Sequence, residues 1–203
     1  MNTPSHYILN LAVLGTLSPG FNGAITLGAI APDFPIFAFY LVVRAIEKRP
    51  KETIWSEAYY EPFWQNCVAI GHSVPLAVLG LLACLYCGWQ PGTLFFGSAI
   101  LHSCLDFPVH NDDAHRHFFP ISDYRFISPV SYWDPRHYGK IAASIEFLLV
   151  LATVPIVFNL LESPISKGIL GAIALLYLWG YTRFYLPIPS PAKSSQTPQN
   201  PPS

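Results

Sequence analysis

The chain has 203 residues, 52% of them hydrophobic and only 11% charged, with a formal net charge of −1 and a mean hydropathy of +0.36. Soluble domains carry about 25% charged residues, so low charge and long apolar runs point to an integral membrane protein of one domain. Near-neutrality removes any electrostatic case for nucleic-acid binding.

A hydrocarbon core about 30 Å thick needs roughly 20 apolar helical residues. Residues 5–18 are apolar but short, which predicts a short or tilted span or a helix lying on the membrane. No basic residue precedes this run, so it does not read as a cleaved signal peptide. Residues 23–45, 65–88, 92–107, 140–161 and 166–186 follow as membrane helices, with 92–107 the shortest of the five. The expected fold is all-α: a polytopic membrane helix bundle of about six helices, with a long cytoplasmic loop between the fourth and fifth. A single membrane domain covers 1–186, with a metal-site half (1–139) and further membrane helices (140–186). The segment 187–203, rich in Pro, Ser and Gln, is expected to be disordered. Cys84 and Cys87 have the spacing of a redox or zinc pair, but their surroundings are apolar and the cysteines read as small membrane residues.

Six spans would place loops 44–64 and 108–139 and the C-terminal end on one side. Ten of the eleven Lys and Arg residues lie there, and only Lys167 lies opposite. The positive-inside rule then predicts an even number of spans with both termini cytoplasmic.

Ionisable side chains inside spans are costly and mark function. Here they are His6, Asp33, His72, His102, Asp106 and Glu146. Pro32 and Pro35 flank Asp33, and prolines so placed predict a broken or kinked helix, tolerated where it lines a cavity. His102 and Asp106 are four apart and share a helical face, and imidazole with carboxylate suits zinc and similar divalent ions. Each residue also has a plainer reading. His72 can cap a helix or reach water, Asp33 can serve a turn, and Glu146 can pair with Lys140. His110, His115 and His117 can be ordinary polar loop residues.

The loop 108–139 has too many aromatic, Asp, His and Arg residues to be a linker. Long ordered loops are usually functional. Arg116, Arg125 and Arg136 have the chemistry to bind a phosphate of the substrate, or to attract anionic lipid with no catalytic role.

The segments "MNTPSHYILN", "GAIAPDFPIF", "GHS" and "LHSCLDFP" together resemble the membrane-bound metal-dependent hydrolases, a family distantly similar to the zinc-dependent phospholipase C group. The resemblance covers roughly the first half of the chain and implies His6, Asp33, His72, His102 and Asp106 as metal ligands. The sequence departs from that pattern where Pro35 follows Phe34 in place of a second acid, and where no His-Arg pair precedes His72. The stretch after Cys104 looks closer still to a bacterial membrane-protein subgroup whose members often carry a cobalamin-biosynthesis label, although no P-loop or glutaminase motif is present. The resemblance implies a bacterial inner-membrane location.

The expected function is that of a metal-dependent hydrolase, probing a phosphoester or lipid-like substrate from the cytoplasmic face with zinc as the cofactor. Asp113 or His117 is the expected general base, and Glu146 a further ligand. Two alternatives stand beside it: a non-catalytic metal-binding membrane protein, and a small transporter or partner subunit using the same buried groups as an ion or proton site.

Overall fold

The computed structural model describes residues 1–185, with side chains as far as Arg183. The expected tail at 187–203 lies outside the described residues. Every regular element among the described residues is helical.

Helix α1 (Thr3–Asn10) continues through a π-helical turn, Leu11–Gly15. Helices α2 (Asn22–Ile30) and α3 (Phe34–Leu41) are joined by a 3-10 turn at Ala31–Asp33. With a closing π-helical turn they make one segment, Asn22–Ile46, of 25 residues. Pro32 and Pro35 both fall in the first turn of the element that follows, where a missing N–H costs little. The expected break is therefore a change of helical register around Asp33, not an end to the segment.

A short helix, α4 (Lys51–Ile54), leads to α5 (Pro62–Gly71) and α6 (Val74–Tyr86), which are bent by 41° at His72 and Ser73. Pro75 brings no N–H, and the Ser73 hydroxyl caps α6 by accepting from the Leu76 N–H at 3.1 Å. Helix α7 (Gln90–Asp106) packs between α2 and α6. The hairpin of α8 (Gly139–Leu160) and α9 (Pro164–Tyr185) joins the rest chiefly through α1.

Three helices are long and apolar enough to cross a membrane: Asn22–Ile46, Gly139–Leu160 and Pro164–Arg183. The bent pair α5–α6 is a fourth if it forms one span. At 1.5 Å per residue each of the three exceeds or matches the roughly 30 Å hydrocarbon core. The two remaining expected spans fall short. Residues 5–18 correspond to α1 and its π-helical extension, and 92–107 corresponds to α7, whose 17 residues bury Ser98, His102, Ser103 and Asp106.

Two close approaches set the geometry of the site. A Cβ on Gly28 would stand 2.1 Å from the Phe95 carbonyl oxygen, so glycine lets α2 lie against α7. A Cβ on Gly71 would stand 2.6 Å from the Pro32 carbonyl oxygen, so the break in α2–α3 meets the break in α5–α6. Polar staples reinforce the first contact. Asn10 donates to the Ser98 carbonyl and hydroxyl at 2.8 Å, and the Ser98 hydroxyl donates to the Ile25 carbonyl at 2.7 Å. One apolar core ties α1 and α2 to the hairpin through Ile8, Leu11, Ile25, Val150, Val157 and Leu170. A second, with Phe39, Val43, Ile54, Tyr59 and Val68, packs α3 against α4 and α5.

Candidate metal centre

Four chain features converge on one buried volume: the start of α1, the break at Asp33, the bend at His72 and the end of α7. The loop after α7 closes over them. Six of the chain's seven histidines meet there in a continuous chain of ring contacts, some stacked and some edge-on. His6 stacks on His102 with centroids 3.7 Å apart, and His72 stacks on His115 at 4.0 Å. All six are buried, as are Asp33 and Asp106.

Asp33, His72, His102 and Asp106 each offer one atom to a group close enough to hold a metal ion. The hydrogen bonds around the two histidines fix which atom. His102 Nδ1 is 2.8 Å from the Ala29 carbonyl, and His72 Nδ1 is 3.0 Å from the Val68 carbonyl. A carbonyl can only accept, so each Nδ1 carries the proton and each Nε2 presents a lone pair. These Nε2 atoms are buried and have no hydrogen-bond partner among the described residues. They face carboxylate oxygens: His102 to Asp106 Oδ2 at 3.1 Å and to Asp33 Oδ1 at 3.7 Å, His72 to Asp33 Oδ1 at 3.4 Å and to Asp106 Oδ2 at 3.7 Å. Three of the four gaps exceed an ordinary N–H···O bond. They match the edges of a coordination tetrahedron, because ligands about 2.0–2.1 Å from one zinc ion lie about 3.3 Å apart. Lone pairs opposed to carboxylates in a low-dielectric interior repel unless a cation lies between them. The donor set therefore fits a divalent metal.

Asp33 does lie in a turn, the 3-10 turn Ala31–Asp33, and it is also buried among the histidines. It stands at the N-cap of α3, yet its carboxylate caps nothing. Its Oδ2 accepts from the Thr3 hydroxyl, which turns Oδ1 toward His72 and His102. His6 Nε2 lies 3.0 Å from Asp106 Oδ1, so the first histidine adjoins the cluster from the opposite side of that carboxylate. The Met1 amino group also donates to Asp106 Oδ1.

A cavity of about 600 Å³ opens onto the centre. Asp33, Asp106, His110 and His115 reach it, and Trp55, Tyr59, Tyr132 and Trp133 contribute aromatic wall. Burial, reinforced by the Asp113 charge, raises the pKa of Tyr59 and Tyr132, so both phenols stay protonated donors. Among the described residues, no Arg or Lys borders the cavity.

The loop residues divide sharply. Asp113 holds His110: its Oδ2 accepts from His110 Nδ1 at 2.9 Å and from the Trp133 indole N–H at 3.1 Å. Burial opposes charge on His110, but Asp106 and Asp113 outweigh it and raise its pKa. Burial also works against the Asp113 carboxylate, and the His110 hydrogen bond overcomes it and lowers its pKa. Burial, then His72 and His110, hold His115 well below the ordinary imidazole value, and burial with His72 lowers His117 to about 4. His117 does not border the cavity, and its Nε2 is buried without a partner among the described residues. Its carbonyl accepts from the Val74 N–H at 2.9 Å, pinning the loop to the bend before α6.

The remaining candidates lie elsewhere. Glu146 stands apart from the metal-capable group and accepts from the Asn2 backbone, the Asn2 amide, Ser5 and Tyr177. Arg116 donates to Asn66 at 2.6 Å and Asp123 at 2.8 Å. Arg125 donates to Gln65 at 2.8 Å and to the Ala114 carbonyl. These two arginines dock the loop onto α5. Arg136 pairs with Asp134 at 2.8 Å in the turn that opens α8. Cys84 and Cys87 take no part in any metal-capable group among the described residues.

Comparison of the chain with family models, with curated proteins and with solved structures finds no match. The functional reading rests on the geometry of the centre itself.

Proposed function

We propose that the protein is a membrane-embedded, metal-dependent hydrolase acting on a phosphoester that carries a lipid-like or other apolar part. The observation that carries this reading is the pair of unpartnered His72 and His102 Nε2 lone pairs set against Asp33 and Asp106 beside an aromatic cavity. Asp33, His72, His102 and Asp106 would hold the ion, with zinc favoured by the nitrogen and oxygen donors. A metal so held supplies Lewis acidity and a bound water of lowered pKa. Ala29 and Val68 fix the imidazole tautomers, and Thr3 fixes the Asp33 carboxylate. Tyr59, Trp55, Tyr132 and Trp133 would receive the apolar part of the substrate, and the phenols can donate to its oxygens. With no Arg or Lys among the described residues that border the cavity, substrate anionic charge would be balanced at the metal centre and not by the loop arginines. On this reading the mouth would open on the cytoplasmic side of a bacterial inner membrane, with both termini cytoplasmic; the Lys and Arg residues gathered in the loops support that orientation.

One observation favours a second reading, a structural metal with no turnover. Four protein ligands can close a tetrahedral site, and His72 and His102 do not border the cavity. Two measurements separate the readings. Metal analysis after purification in mild detergent should find stoichiometric metal, lost in a His102→Ala/Asp106→Ala variant. Hydrolysis of bis(p-nitrophenyl) phosphate or a labelled phospholipid should then follow metal content. Bound metal without turnover of either substrate supports the structural role, and metal-free protein contradicts both readings.

A further inference from the structure

Asp106 is shared. Its Oδ2 faces His102 and His72, while its Oδ1 faces the other way, 3.2 Å from His110 Nε2. Asp106, His110 and His115 form a second buried group close enough to hold an ion. The spacing behind this is regular: His102, Asp106 and His110 follow one another at intervals of four. The 3-10 turn Phe107–Val109 carries the chain on from α7 for the last of these steps. A helical turn on either side of one carboxylate thus presents one imidazole to each of its oxygens.

We infer that the protein holds a second divalent cation at Asp106 Oδ1, His110 Nε2 and a ring nitrogen of His115, with Asp106 bridging the two ions. The inference rests on the metal-site reading above. His110, like His72 and His102, is oriented through Nδ1, here by a carboxylate in place of a carbonyl. Its Nδ1 meets an acceptor, Asp113, and Asp113 is in turn fixed by Trp133, so Nε2 is aimed at the shared carboxylate. A positive group already stands at this corner, since the Met1 amino group donates to Asp106 Oδ1 and lies 3.2 Å from His110 Nε2. A bound ion would displace it. Bridged pairs of this kind stand about 3.5–4 Å apart and clamp phosphoryl oxygens between them.

The two positions differ in access. All three ligands of the second position border the cavity, whereas of the first four only Asp33 and Asp106 do. Three protein ligands leave a coordination position open, and here it faces the cavity. The second position is therefore the one to which a water or a substrate oxygen has access. The first is the anchor. Asp113, the expected general base, acts in this arrangement as a positioning residue for His110.

Loading metal-free protein in mild detergent with Zn(II), and separately with Mn(II), tests this without any substrate. The expected zinc content is two ions per chain. The Mn(II) form should show the electron paramagnetic resonance of an exchange-coupled pair. A His110→Ala/His115→Ala variant should keep one ion and give the six-line spectrum of isolated Mn(II). Asp113→Asn should weaken the second equivalent about 10–100-fold and leave the first unchanged. One ion per chain in the unaltered protein, with an uncoupled spectrum, overturns the inference and leaves the first site standing. Two ions retained by the double variant also overturn it. No binding of either metal removes both the inference and the reading beneath it. Should the double variant fail to fold, the spectrum of the unaltered protein decides alone.

Discussion

Helices α8 and α9 run unbroken for 22 residues each, while α2–α3 and α5–α6 are each interrupted near mid-length and touch at the interruptions. The best apolar windows of the hairpin are only 17% and 6% buried inside the protein, and Ile145, Leu148, Ile169, Leu175 and Trp179 face outward. A continuous helix satisfies its own backbone and asks only for an apolar solvent. An interrupted one brings helix ends into the interior, and here two carbonyls next to the breaks, Val68 and Ala29, orient His72 and His102. The hairpin presents an apolar outer surface. The interrupted helices bring the candidate ligands together.

Substitution of the shared carboxylate attacks that division most directly. Asp106→Ala removes oxygens facing His102, His72, His6 and His110, and should lower metal affinity by more than about 100-fold, beyond the usual cost of losing an indirect partner. Titration with Zn(II) measures it. No comparable change should follow any single alanine substitution among the outward-facing residues of α9.

Glycines give the next contrast. Gly28→Ala sets a Cβ 2.1 Å from the Phe95 carbonyl oxygen, whereas a Cβ on Gly171 in α9 meets nothing within 4 Å among the described residues. The first change should cost about 1–3 kcal/mol, and the second should be neutral or stabilise by up to about 1 kcal/mol. Thermal unfolding in detergent compares them. Equal effects would remove the distinction between a packed site half and a loosely packed hairpin.

Glu146 joins the two regions, because it lies on α8 and accepts from residues of α1, from Asn2 and from Tyr177 of α9. Glu146→Ala takes the acceptor from the Asn2 donors, while Ser5 and Tyr177 keep each other, and should cost about 1–3 kcal/mol with metal content unchanged. Loss of metal in a folded Glu146→Ala protein would make it a ligand after all.

The smallest effect concerns acid. Arg136, by side-chain and backbone hydrogen bonds, holds the Asp134 carboxyl below the usual carboxylate range. A depressed folded pKa means a contribution present above the unfolded carboxylate value, near 4, and lost as pH falls below it. Trp133 fluorescence should report a local change below about pH 4 that Asp134→Asn abolishes.

The legible part of the site followed periodicity. His102 and Asp106 share a helical face, Pro32 and Pro35 flag Asp33, and the all-helical fold follows from composition and the long apolar runs. His110 and His115 were visible only as polar loop residues, since nothing in a loop's sequence says which way it folds back. The signal that would have found His110 is its interval of four from Asp106, matching that of His102. Arg116 and Arg125 read as anion binders because guanidinium chemistry is the same whether the partner is a phosphate or the amides Asn66 and Gln65. Glu146 shares the depth of a ligand, but its donors come from α1 and α9, far apart in sequence. The apolar run at 92–107 is the shortest of the five in the sequence, and the polar residues of α7 turn toward the buried site.

X-ray absorption of the zinc-loaded protein tests the central claim most directly. The account predicts stoichiometric zinc in a shell of nitrogen and oxygen at about 2.0–2.1 Å with the scattering signature of imidazole, abolished in a folded His72→Ala/His102→Ala/His110→Ala variant. A sulfur shell at about 2.3 Å, or protein that folds and retains no zinc, would contradict it.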